Sequence, residues 1–205
     1  MDLSSIFKTV SAQLTEQQTA LNAADEYNHD HGDNMVKIFD VIQSAVSKKS
    51  DKPVDEQLSY ASQVVEKEIQ SGSAKLLSQG LADAALSFAG TDLQPDTLGL
   101  LVKSLLNVKE EKEPKKEQGG VLGSLLSGLI GKKEEAVEEE KKLGVNELLL
   151  AGMAYFQAKQ GGSSDVEALI NALLAASPMG ESKHRSMSGS LIANAIMSFA
   201  KSGNE

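Results

Sequence analysis

The sequence predicts an all-α fold, and three observations carry that expectation. Apolar residues recur every three or four positions almost from end to end, the period of a helix with one buried face. The composition is rich in Ala, Leu, Lys, Glu and Gln, with only 4 prolines, and aromatics are 4% of the chain, so an aliphatic core is implied. No stretch shows the Val/Ile/Thr/Tyr alternation that a half-buried strand requires. At 205 residues the length suits a single domain over 1–205 carrying an insertion.

The elements follow in order. Leu3, Ile6, Phe7, Val10 and Leu14 define a first helix, and Thr15-Glu16-Gln17-Gln18 has the form of a capping box that restarts or redirects it. After a polar loop, Met35, Phe39, Ile42 and Val46 form a second stripe. Pro53 suits the first turn of a third helix bearing Leu58, Ala61, Val65 and Ile69. Ser71-Gly72-Ser73 interrupts that pattern before a helix with Leu76, Leu77, Leu81, Ala84, Ala85 and Phe88, ending near Gly90. Pro95 and Asp96 introduce a fifth with Leu98, Leu101, Val102 and Leu105. Further helices are expected around Leu148 to Phe156, Val166 to Leu174 and Leu191 to Phe199, about eight in all, joined by short Gly/Ser/Asp loops.

Residues 108–143 depart from this regularity. Charged runs, Lys109 to Glu113 and Lys132 to Lys142, flank an apolar island at 119–131, whose Val121, Leu122, Leu125, Leu126, Leu129 and Ile130 would share one helix face. The segment reads as a charged, flexible insertion with a short amphipathic piece. The island could lie on a membrane surface or in a partner groove; a flexible linker with an apolar centre is the favoured reading.

Composition also sets exclusions. A net charge of −9 argues against nucleic acid as the partner, because neutralising phosphates takes clustered Lys and Arg. With no cysteine, disulfides and thiolate metal cages are excluded, so any cation would be held by oxygen and imidazole. No basic start followed by an apolar run marks a signal peptide, and no apolar stretch reaches the roughly 20 residues of a membrane span. The expected location is cytoplasmic.

Chemistry concentrates in Asn28-His29-Asp30-His31-Gly32-Asp33-Asn34-Met35. The loop reads either as a solvated turn in which Asp33-Asn34 caps the next helix, or as a cation-binding loop. A zinc site from His29 and His31 with Asp30 or Asp33 is the weaker reading, since a third ligand must come from elsewhere and His184 stands beside Arg185. Ser71-Gly72-Ser73 and Ser188-Gly189-Ser190 each read as opening a helix, either as ordinary serine caps or as phosphate-binding turns.

Taken in order, these motifs resemble the nucleotide-binding L domain of dihydroxyacetone (glycerone) kinases, also the N-terminal domain type of bacterial fatty acid kinases. That family carries a Gly-Asp-x-Asp-x-Gly-x-Asn-Met loop, matched here at Asp30, Gly32, Asn34 and Met35, and by His31 in its Asp-His-Gly variant. Leu21-Asn22 fits upstream, Gly72-Ser73 through Gln79 resembles the family's second motif, and Gly180-Glu181 through Ser190 its third. The resemblance covers most of the chain outside the insertion, and its first motif is the most specific.

The resemblance implies an eight-helix barrel or bundle that holds ATP or ADP at one end with two Mg ions. It further implies phosphoryl transfer to an acceptor presented by a substrate-carrying protein subunit. On that reading the metal ligands are Asp30, Asn28, Asp25 and Asp33, and the nucleotide contacts are His31, Asn34, Ser73, Ser78 and Gly189. No catalytic group distinct from the metal site is implied, and His31 orients rather than attacks. The chain departs from the pattern where Asn28 replaces an aspartate, where Ala23 falls near an earlier acidic ligand, at Ala74, and where Met187-Ser188 replaces Asp-Pro. An amide ligand brings no charge, so two ions here should bind more weakly than in a typical kinase. Two functions follow: an ATP- and Mg-dependent phosphotransferase, or a non-catalytic module of the same type that binds or regulates, associated with a partner or membrane through the insertion.

Overall fold

The computed structural model describes residues 1–108 and 165–202. Among them it is all-helical, with eight α-helices, a single 3-10 turn and no strand. They are α1 (Leu3–Glu16), α2 (Gln18–Ala24), α3 (His31–Lys48), α4 (Val54–Glu68), α5 (Gly72–Ser87), α6 (Leu98–Leu105), α7 (Asp165–Ala175) and, after the 3-10 turn Pro178–Gly180, α8 (Lys183–Ser202). The expected helix around 148–156 and the 108–143 insertion, apart from Val108, lie outside the described residues. No helix among the described residues is long and apolar enough to cross a membrane.

Helix α1 starts where Asp2 takes the amides of Ser4 and Ser5 at 3.2 and 2.9 Å, relieving two of the free N–H groups at a helix start. Its stripe of Leu3, Ile6, Phe7, Val10 and Leu14 is buried throughout, packed mainly on α3, where Phe7 faces Phe39. The expected capping box does not form. Thr15 turns its hydroxyl back to the Ser11 carbonyl at 2.8 Å, and the chain breaks at Gln17 instead. The redirection itself is present as the short helix α2.

Pro53 is the cap of α4 rather than a first-turn residue, its carbonyl taking the Gln57 amide at 3.1 Å. Helices α4 and α5 form an antiparallel pair tied by Ser62 Oγ donating to the Ser78 carbonyl at 2.7 Å. Ser71 caps α5 by accepting the Ala74 amide at 3.1 Å. Pro95 and Asp96 lie in a turn ahead of α6, which begins at Leu98. Asn107, at φ 55°, closes α6 and donates Nδ2 to the Leu76 carbonyl at 2.7 Å.

Helix α8 packs against α1, α2, α6 and α7 and so joins the C-terminal part to the N-terminal helices. One continuous apolar cluster runs from Leu3 through α3, α4, α5 and α6 to Ile196 and Met197. Burial of this cluster is the main favourable term in folding.

Candidate functional site

At one end of the bundle, the start of α3 and the turn before it meet the starts of α5 and α8. The turn 25–30 is wound around one carboxylate. Asp25, only 5% exposed, accepts the Tyr27 amide at 3.2 Å and also draws in the Asn28 and Asp30 amides. Burial alone would raise its pKa. The Tyr27 amide, the His184 ring 3.9 Å away, and the other two amides outweigh that and hold the carboxyl below the usual range.

His31 is the first residue of α3 and is 4% exposed. Its Nε2 lies 3.1 Å from Ser188 Oγ, which also donates to the Arg185 carbonyl at 3.0 Å. Its ring packs against His184 in a tilted contact, centroids 4.5 Å apart and planes at 57°. His184 Nε2 is in turn 3.2 Å from Ser182 Oγ. Burial pushes His31 down to about 4, reinforced by His184 and Arg185 and only partly opposed by Asp25 and the His184 main chain.

This shift has a sign that can be tested. Between about pH 6.5 and 4 the unfolded chain takes up a proton that the native imidazole refuses, so stability falls as pH drops through that window and is whole above it. The loss should be on the order of 2 kcal/mol, after allowance for solvent screening. Urea titrations at about pH 7 and pH 4.5 should show a much smaller pH effect in His31→Gln than in the parent. Equal losses in both would refute the assignment.

The third part of the site comes from α8. Arg185 has its Nε buried with no hydrogen-bond partner among the described residues, and its Nη1 lies 3.8 Å from Glu181. A Cβ placed on Gly72 would be 3.4 Å from Arg185 Nη2, so the guanidinium rests against the first turn of α5. There Ser71 satisfies only the Ala74 side of the helix start, and the Gly72 and Ser73 amides have no acceptor among the described residues. Free amides, the positive end of a 16-residue helix and a guanidinium together suit an anion such as phosphate.

The residues singled out from sequence separate into two groups. Asp25, His31 and Ser73 belong to this end, with Asn28 and Asp30 exposed on its rim. Asp30 sits at the start of α3, its Oδ1 accepting Asn34 Nδ2 at 2.9 Å. Asp33 is engaged elsewhere: its Oδ1 accepts Gln18 Nε2 at 2.7 Å and Asn22 Nδ2 at 2.8 Å, and these amides hold its pKa low. Asn22 is the real cap of α3, its Oδ1 taking the Gly32 and Asp33 amides at 2.6 and 3.2 Å.

Ser78 is buried between α4 and α5, with its hydroxyl donated to the Lys75 carbonyl at 3.0 Å. Ser188-Gly189-Ser190 does not open a helix as the sequence suggests. Helix α8 already begins at Lys183, so the Gly189 amide is within the helix, and its missing side chain admits Leu174 and Leu106. No three His, Asp or Glu side chains among the described residues are placed to hold a metal ion.

Sequence reasoning meets His184 and Arg185 only as a poor setting for a zinc ligand and Ser188 only within the Ser-Gly-Ser turn, and places none of them beside His31 or Gly72. Their local signal is the polar run Glu181 to Ser186 preceding an apolar stripe. Which of these residues meets His31 or Gly72 depends on how α8 docks. An open groove of about 380 Å³ between α3 and α4, lined by Val36, Asp40, Val41, Lys48, Val64 and Glu68, lies along the side of the bundle. Compared with known proteins, the chain matches no family model, no curated protein and no solved structure.

Proposed function

We propose that this chain is a nucleotide-binding helical module of the dihydroxyacetone kinase L-domain type, with the phosphates of ATP or ADP at the end built by α3, α5 and α8. One observation carries the reading: three segments that resemble the family's motifs are neighbours in space. His31 reaches Ser188 at 3.1 Å, and Arg185 reaches the first turn of α5 at Gly72. The free amides of Gly72 and Ser73 and the Arg185 guanidinium supply what a phosphate needs.

Of the two functions, the non-catalytic binding or regulatory role is the better supported. Two magnesium ions bridging carboxylates and phosphates require acidic side chains turned toward one point. Here Asp33 is bonded to Gln18 and Asn22, Asp30 to Asn34, and Asp25 to its own turn. Asn28 adds no charge. The residues present therefore do not fit a two-ion centre. A substrate-carrying partner subunit belongs to the catalytic reading and stands or falls with it.

Calorimetric titration of the full chain with ADP, with magnesium and with a chelator, separates the possibilities. Binding should be retained within about threefold (under 1 kcal/mol) when magnesium is removed. Loss of more than about tenfold on chelation, together with ATP turnover, would restore the phosphotransferase reading. No binding at millimolar ADP in either condition would remove both.

A further inference from the structure

The turn before α3 and the start of α8 bring together three groups that phosphate binding leaves unused. Ser182 lies between the 3-10 turn and α8, and its Oγ is 3.2 Å from His184 Nε2. The other ring nitrogen, Nδ1, is 3.9 Å from Asp25 Oδ1. The atoms run carboxylate, Nδ1, Nε2, hydroxyl: a nucleophile beside a base, and the base oriented by a third group. A carboxylate on the Nδ1 side favours the proton there, which leaves the Nε2 lone pair to accept from Ser182.

The surroundings hold these parts in place. Burial opposes the Asp25 charge, but the Tyr27 amide, His184 and the Asn28 and Asp30 amides keep the carboxyl ionised. The His184 side chain is only 15% exposed, and the buried His31 ring lies against it with centroids 4.5 Å apart. Ser182 is partly exposed, whereas Ser188 is fully buried, so a small molecule reaches the first hydroxyl from solvent. The Asp25–His184 separation exceeds a hydrogen bond, and a shift of under about 1 Å closes it, as catalytic contacts do when substrate binds. The first main-chain bond of α8 is made by the Ser186 amide to the Ser182 carbonyl at 2.9 Å. The amides of Lys183, His184 and Arg185 precede it and face the end where Ser182 stands, a setting for a developing oxyanion.

We propose that Ser182 is an acyl-accepting nucleophile with His184 as its general base and Asp25 as the positioning residue, giving the chain a hydrolytic activity on small activated carboxylic esters. The activity is separate from nucleotide binding and does not rest on it. Ser182 Oγ bonds to the ester carbonyl carbon while its proton passes to His184 Nε2. The carbonyl oxygen takes the electron pair and returns it as the bond to the leaving-group oxygen breaks, and that oxygen receives the Nε2 proton. Water then attacks the acyl-serine, gives a proton to Nε2, and the acid departs as Ser182 Oγ takes that proton back.

The test uses p-nitrophenyl acetate and the full-length chain, with peptide mass spectrometry of the quenched reaction. One acetyl group should be found on Ser182, and Ser182→Ala and His184→Gln should each lower turnover by about a hundredfold or more. Asp25→Asn keeps an oxygen for the Tyr27 amide, and it should lower kcat about tenfold or more with KM unchanged. Ser186→Ala, one turn along α8, should leave turnover as in the parent. Turnover undiminished in Ser182→Ala, or acetyl groups found only on lysine or histidine, would overturn the proposal. A fluorophosphonate reagent on the parent chain decides the matter without any substitution. A phosphonyl group on Ser182 is expected, and labelling that spares Ser182 would overturn the assignment.

Discussion

Gly32→Ala should lower the unfolding free energy by about 3 kcal/mol, the upper part of the range for overpacking, because the new methyl group has nowhere to go. A Cβ at residue 32 would lie 2.2 Å from the Gln18 carbonyl oxygen, 2.9 Å from its carbon and 2.8 Å from Asn22 Oδ1. Two of those three atoms are backbone, so relief requires α2 to move away from α3. That movement would pull Asn22 off the Gly32 and Asp33 amides, now at 2.6 and 3.2 Å, and would strip Gln18 and Asn22 from Asp33. The turn that carries Asp25 and Tyr27 leaves the end of α2, so the site should loosen with it.

Gly90→Ala is the control. Gly90 has φ 73° with nothing within 4 Å of a Cβ, so it should cost only about 1 kcal/mol of left-handed backbone strain. Urea unfolding followed by circular dichroism measures both. A Gly32→Ala protein no less stable than Gly90→Ala would show that α2 and α3 do not approach this closely.

Phe39→Ala should cost about 4 kcal/mol and come close to unfolding the chain. Phe39 is fully buried at the α1–α3 contact, with Phe7 opposite at 6.2 Å between ring centroids and 52° between planes. Truncation removes the transfer energy of the ring, leaves a cavity between two helices that cannot both collapse into it, and ends the aromatic pair. Leu86→Ala offers the contrast: Leu86 is 78% exposed and its truncation should fall within about 0.5 kcal/mol of the parent. Denaturant midpoints decide the matter, and a Phe39→Ala loss below about 1.5 kcal/mol would mean the α1–α3 seam is not the packed core described here.

Much of the fold is legible in the sequence because a helix's buried face is a local property. The stripes Leu3-Ile6-Phe7-Val10-Leu14 and Met35-Phe39-Ile42-Val46 repeat at the helical period and are buried. Boundaries are less legible, since they depend on which of several competing hydrogen bonds forms. Thr15 could cap a helix at its own position but bonds back to Ser11. Ser188 could open a helix but lies inside one, because α8 starts at Lys183 and docks Gly189 against Leu174 and Leu106.

The candidate site is legible only in part. The 28–35 motif and Ser73 lie at the end of the bundle where the proposed site is placed. The roles within the motif do not follow from residue type. Gly32, a glycine of the polar loop in sequence, lies at a helix–helix contact, and Asp33, expected as a cation ligand, accepts two side-chain amides through Oδ1.

The sequence by itself determined the all-helical class, the apolar faces and the segments in which polar chemistry gathers, because each depends on neighbours within one or two turns of chain. Only the tertiary structure decided which polar groups share a site. His31 and Ser188 are 157 positions apart, and the Arg185 guanidinium reaches the start of α5 from another helix. Such pairs exist because buried apolar surface drives α8 onto α1, α2 and α6, and whatever side chains ride at its start arrive with it. No local pattern encodes that docking, so the Asp25–His184–His31 and Arg185–Gly72 neighbourhoods appear only once the helices are packed.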